Sequence, residues 1–188
     1  MTKQQKSLGL GLKFVLLILL VFTITLSINT YIKINIEAQQ YTSRLIEKGK
    51  LLAKVTALIA PEAIFAFDFS AMNDNVKDIS AQEDVIYCAI KNQEGEFLTS
   101  YFDMNKPEIK RIVQSNPDIK LANVIEHLKN NKNIITLNSP IEFENENLGS
   151  VVIGISKYKF KETIKSTLIR ELSINFIMLL FLSGMIFY

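Results

Sequence analysis

The chain has 188 residues, 48% of them hydrophobic, with 21 basic and 19 acidic side chains and a net charge of +2. That near-neutral balance gives no sign of a nucleic-acid partner, and a single cysteine, Cys88, excludes an internal disulfide. The apolar residues are unevenly spread, and two stretches do not fit a soluble core.

Residues 1–13 form a basic tail with Lys3, Lys6 and Lys13 and no acid. Phe14 to Ile32 then runs nineteen residues without a charge. At about 1.5 Å per residue this gives roughly 28 Å of helix, enough to cross a hydrocarbon layer. A cleaved signal peptide is the rival reading of a basic tail before an apolar run. The length of the run, and the lack of a small-x-small site between Ser27 and Glu37, favour a retained anchor. The purely basic tail predicts a cytoplasmic N-terminus and a following segment outside the inner membrane. Lys157, Lys159, Lys161, Lys165 and Arg170 work against that rule by crowding the second apolar run on the outer side.

Beyond the first run the pattern stays helical. Ala38, Leu45, Leu52 and Ile59 recur every seven residues with Val55 between the last two. This stripe can cover the domain's own sheet or pair with a second subunit, and Tyr41 and Lys48 make it a poor pure coiled coil. Pro61 predicts a kink or break. Val85–Lys91 (VIYCAIK) reads as a strand, with Ile86, Cys88 and Ile90 on one face and Val85, Tyr87 and Ala89 on the other. Gly95 supplies a turn, and Phe97–Phe102 (FLTSYF) returns as a second strand. Pro107 to Val113 reads as helix, while Leu121 to Leu128 fits either an amphipathic helix or a short strand.

A second hairpin follows. Ile135, Leu137, Ile141 and Phe143 alternate along one strand, Glu144 to Asn147 form a charged turn, and Val151, Ile153 and Ile155 alternate along the next. Pro140 predicts an edge position or a bulge for the first of these. Phe160, Ile164, Leu168 and Leu172 then recur every four residues, so a helix leads into a second uncharged run, Leu172 to Tyr188. With no Lys or Arg beyond it, that run reads as a second span cut short. The segments are therefore a tail (1–13), a first transmembrane helix (14–32), a mixed α/β domain (33–171) and a second transmembrane helix (172–188).

The chemistry-bearing residues are sparse. His127 is the one histidine, and with Cys88 it makes no ligand set for zinc or haem, so no cofactor or metal is expected. Glu142, Glu144 and Glu146 alternate along a hairpin edge, the pattern of a solvated rim rather than of a calcium cage. Gly9 and Gly11 follow no strand and make no nucleotide fingerprint. Phe65, Phe67, Asp68, Tyr87 and Tyr101 are the candidate ligand-binding residues, since aromatic walls with a few polar groups beside a sheet make a small-molecule site. The same rings would also serve as core between helix and sheet.

Ile64-Phe65-Ala66-Phe67-Asp68, Ile79, the strand Val85 to Ile90, the Gly95 turn and the return Phe97 to Tyr101 carry a resemblance. So do Ser139-Pro140-Ile141 and Leu148-Gly149-Ser150-Val151. Together they resemble the CHASE-type, PAS-like periplasmic sensor domain at the front of bacterial diguanylate cyclases and hybrid histidine kinases. The usual Asp-x-Gly turn reads Gln93-Glu94-Gly95 here. The resemblance implies an α+β fold, a PAS-like antiparallel sheet with long flanking helices continuous with two transmembrane helices. It also implies a sensor that relays an external signal across the inner membrane, with a HAMP linker and an output module after the second span. No catalytic residue is read in this chain. The expected partners are membrane lipid, a second copy of the chain, and a small-molecule ligand or a periplasmic regulatory protein. A chemotaxis-type receptor and a stand-alone membrane-tethered binding module remain the rival readings.

Overall fold

A computed structural model describes residues 10–187, so the tail through residue 9 and Tyr188 lie outside the described residues. The protein is mixed α/β, with a long N-terminal helix and a three-stranded antiparallel sheet. Its residues divide into two compact units, one of Met1–Gln40 with Lys161–Tyr188 and the other of Tyr41–Phe160.

Helix α1 (Leu10–Phe65) runs 56 residues without a break. No glycine or proline falls between Lys13 and Lys48, so nothing in the apolar run interrupts the helical hydrogen bonding. Pro61 lies inside the helix, which carries on for another turn; the expected break is absent. Near its end, Asp68 N–H donates to the Ala63 carbonyl and Phe67 N–H to that of Ile64, with Phe67 at φ 51°. This is a Schellman ending in which a phenylalanine holds the left-handed position usually given to glycine. Asp68 then caps α2 (Phe69–Ser80), accepting from Ala71 N–H at 2.9 Å.

Strand β1 (Val85–Lys91) pairs with β3 (Glu146–Ser156), which pairs in turn with β2 (Ile134–Phe143), giving the order β1-β3-β2. Helices α3 (Pro107–Ser115) and α4 (Leu121–Lys129) lie between β1 and β2 in sequence, and α5 (Tyr158–Phe187) follows β3. The second hairpin forms as expected, around a two-residue turn whose Glu144 and Asn145 have φ 50° and 68°. That geometry matches a type I′ turn. Pro140 sits on the edge strand β2, with a bulge directly after it between Ile141 and Glu142. The extra residue belongs to β3 and precedes Gly149, whose φ is 144°.

The sheet of the Tyr41–Phe160 unit is buried on both faces. One layer joins Leu45, Ala53, Ala57 and Ala60 of α1 and Met72 and Val76 of α2 to Val85, Cys88, Ile90, Ile141, Val151, Ile153 and Ile155. The other joins Ile109 of α3 and Leu121, Val124, Ile125 and Leu128 of α4 to Ile86, Tyr87, Ala89, Ile134 and Val152. Lys48 of α1 pairs with Asp84 at 3.0 Å at the entrance to β1.

Three further expectations need correction. Phe97–Phe102 is no strand; only a bridge between Lys91 and Phe97 forms. Side chains take the place of the ladder, because Ile90 N–H donates to Thr99 Oγ1, and Ser100 and Tyr101 N–H both donate to Asn73 Oδ1. The faces of β1 are also exchanged at its start, where a bulge between Val85 and Tyr87 turns Val85 toward α1 and Ile86 toward α4. The heptad stripe of α1 divides: Leu45 is buried and Leu52 half-buried, while Val55 and Ile59 are exposed. The face on the sheet is built instead from small residues, and a Cβ on Gly49 would lie 2.1 Å from Ile155 Cδ1.

Candidate functional site

The five expected ligand residues do not converge. Phe65 and Phe67 are 53% and 78% exposed at the α1–α2 corner, where Phe65 meets Phe143 edge-on at 5.1 Å and Asp68 serves as the α2 cap. Tyr87 is fully buried on the α4 side of the sheet, lying over Gly154. Its hydroxyl pairs with Thr136 Oγ1 at 2.9 Å, and burial raises its pKa. Tyr101 is half-buried against the α1 side. Cys88 is buried among that same layer, and burial pushes its thiol up to about 12, the behaviour of a small hydrophobe rather than a reactive group. His127 is exposed on α4 with Nδ1 2.8 Å from the Asn123 carbonyl, and among the described residues no cluster of three or more His, Cys, Asp or Glu could hold a metal.

A cavity of about 680 Å³ opens elsewhere, between the return Gly95–Phe102 and the start of α4. Its first wall follows from the turn after β1. Asn92 N–H donates to the Glu96 carbonyl at 2.9 Å, Glu96 N–H donates back to Asn92 Oδ1 at 2.8 Å, and Gly95 takes φ 83°. The chain then returns along β1 for two residues, with Leu98 N–H on the Ile90 carbonyl, before Thr99 and Asn73 divert it. Phe97 and Phe102 are thereby held facing α4, and Lys91 Nζ sits 4.3 Å above the Phe97 ring. Desolvation and the nearby Lys129 lower the Lys91 pKa.

The second wall is Ile119, Lys120, Leu121 and Ala122. Ile119 and Leu121 are buried in the α4 layer, which fixes where the helix starts. Lys120, at the N-cap position, offers no side-chain capping bond, and its carbonyl accepts from the N–H groups of Asn123 and Val124 at 3.0 and 3.2 Å. A second recess of about 430 Å³ continues along α4 past Phe97 and Ala122 to Lys129 and Asn130.

No family model, no characterised protein and no solved structure matches the chain. The site is therefore read from its own geometry. Sequence reasoning missed Thr99, Lys120 and Ala122 because Thr99 lies in a segment read as a strand, Ala122 in one left between helix and strand, and Lys120 just before it. The one available signal was the hydroxyl pair Thr99-Ser100 between Phe97 and Phe102, a polar interruption where an inward face was expected to be apolar.

Proposed function

We propose that the chain is the membrane-anchored sensor region of a bacterial signal-transduction receptor of the diguanylate-cyclase or histidine-kinase type. In this reading residues 33–171 form a CHASE-type, PAS-like domain outside the inner membrane, between spans at 14–32 and 172–188. The observation that carries it is the continuity of α1. One helix carries no charge from Phe14 to Ile32 and lays Leu45, Ala53, Ala57 and Ala60 on the sheet over its second half. Among the described residues it is the one helix long and apolar enough to cross a membrane, by length and composition.

Three further details support the reading. Thr23, Thr25 and Ser27 close their hydroxyls onto the carbonyls of Leu19, Val21 and Thr23 at 2.8–2.9 Å, leaving no side-chain donor of the three for water. Lys33 pairs with Glu171, and these are the charges that border the two uncharged runs. One turn deeper in each run, Asn175 Nδ2 donates to Thr30 Oγ1 at 3.1 Å. Two spans entering from one surface would bring these residues to one level.

The fused helix is also the relay: a rearrangement at the sheet acts directly on the helix that enters the bilayer. Two copies pair along α1, where Leu51, Val55, Leu58 and Phe65 remain 44–70% exposed at coiled-coil spacing. The placement is tested in intact cells with a membrane-impermeant maleimide in a Cys88→Ser background. Asn145→Cys in the hairpin turn is expected to label and Lys13→Cys to label only after permeabilisation; the opposite pattern removes the reading.

A further inference from the structure

We propose that the aromatic corner where α1 turns into α2, with Phe143 of β2 beside it, is a docking surface for a basic, apolar segment of a partner protein. This deepens the sensor reading by naming the chemistry of the partner, and rests on that reading for its role but not for its test. Every residue from Phe65 to Ser70 is exposed, Phe67 by 78% and Phe69 by 50%. Phe65 meets Phe143 edge-on at 5.1 Å, which brings the tip of the β2–β3 hairpin to the same corner. Phe67 holds φ 51°, a position that glycine or asparagine fills at less cost, and its ring joins neither core layer. A large exposed ring there serves neither the turn nor solubility, and an exposed apolar patch with a polar rim marks an interaction site.

The charges around the rings select the partner. Residues 61–76 and 141–149 hold six acids, Glu62, Asp68, Asp74, Glu142, Glu144 and Glu146, and no lysine, arginine or histidine. All six are exposed, and neither ion pair of the described residues, Lys33–Glu171 or Lys48–Asp84, involves them. A second copy at this corner would bring the same acids against themselves, and an anionic bilayer would bring phosphates against them, so like-charge repulsion disfavours both. Area argues against a second copy as well. At about 200 Å² per phenylalanine, Phe67, Phe69 and Phe143 expose roughly 350 Å², well below the about 800 Å² that each subunit of a stable dimer buries. A segment with lysine or arginine beside leucine or aromatic side chains meets both features, covering the rings with its apolar groups and facing the acids with its cations.

The experiment uses the full chain in nanodiscs of phosphatidylcholine, which carries no net charge, with empty nanodiscs as the blank and fluorescence anisotropy as the readout. The probe is a short fluorescein-labelled peptide of lysine and leucine. Its glutamate–leucine and lysine–serine counterparts remove the charge match and the apolar groups in turn. The lysine–leucine peptide is expected to bind saturably at micromolar concentration and the other two at least tenfold more weakly. Phe67→Asn, which suits the left-handed position, and Phe143→Ser should each weaken binding several-fold while leaving Cys88 as protected from thiol reagents as in the unaltered chain. Glu142→Lys with Glu146→Lys should abolish binding of the lysine–leucine peptide and admit the glutamate–leucine one, a gain that misfolding does not produce. With Phe67→p-benzoylphenylalanine, irradiation should join the chain to the peptide. Absence of saturable binding overturns the proposal, and so do equal affinities for the three peptides, unchanged binding by the phenylalanine variants, or cross-links only to lipid or to a second copy. None of these outcomes bears on which side of the membrane the domain occupies, so the two readings stand or fall separately.

Discussion

Gly149 of β3 lies against the Lys91 carbonyl at the end of β1, and replacing it by alanine is a sharp test of the sheet. Its φ of 144° is a conformation that L-residues rarely adopt, and an added Cβ would lie 1.9 Å from the Lys91 carbonyl oxygen. An ordinary carbon–oxygen contact is about 3.3 Å or longer, so the two strands would have to part by more than an ångström at the bulge. The backbone conformation alone costs about 1–2 kcal/mol for a residue with a Cβ, and with the strand displacement the total is about 3 kcal/mol. Gly95→Ala is the control, because Gly95 has φ 83° but nothing within 4 Å of an added Cβ, leaving about 1 kcal/mol. Cys88, the lone cysteine and fully buried, reports opening directly through its rate of labelling by a thiol reagent. At about 1.4 kcal/mol per tenfold, Gly149→Ala should label roughly a hundredfold faster than the parent chain and Gly95→Ala about fivefold faster. Equal rates for the two variants would refute the close approach of β3 to β1.

Other perturbations separate the remaining parts of the account. Ile153, fully buried in the layer under α1, is expected to lose several kcal/mol as Ile153→Asp, against a few tenths for Glu144→Ala in the turn, by the same labelling assay; similar losses would remove β3 from the core. Phe67→Gly relieves a left-handed position at an exposed side chain, so it should stabilise by about 1 kcal/mol, and a loss of stability would show that the ring packs on something. The Glu171 carboxyl is held below the ordinary glutamate range by its hydrogen bond from Lys33. A lowered folded pKa gives stabilisation that is present above the unfolded value and lost as pH falls through the folded one. Cross-linking of a Thr30→Cys, Asn175→Cys pair in a Cys88→Ser background should therefore weaken on acidification below the usual carboxylate range, and a flat profile would contradict the pairing.

The second hairpin was legible because Leu137 and Ile141, and Val151, Ile153 and Ile155, keep one phase against intervening residues that are smaller or more polar. The first strand was legible as a strand but not in its facing. From Val85 to Ile90 every residue is buried, so alternation carries no information about phase, and the bulge at its start reverses whatever phase is assumed. The sheet-facing side of α1 was hidden for a related reason. Gly49, Ala53, Thr56, Ala57 and Ala60 are selected for closeness to the sheet rather than for apolar bulk, and a search for large residues finds Val55 and Ile59, which face away. Phe97–Phe102 has the composition of a strand, yet Thr99 and Asn73 intercept the amides that would have paired. Local propensity cannot anticipate a partner 27 residues away. The cavity depends on that interception and on the helical start of α4, so its residues could not be assembled before either was known.

Sidedness is the claim on which the sensor reading rests, and a pair of reporter fusions after Asn145, in the β2–β3 turn, tests it most directly. An alkaline phosphatase fused there is predicted to be active and a fluorescent reporter that matures only in the cytoplasm to be dark. An inactive phosphatase with a bright fluorescent fusion, from chains present at equal levels in the membrane, would contradict a sensor domain outside the inner membrane.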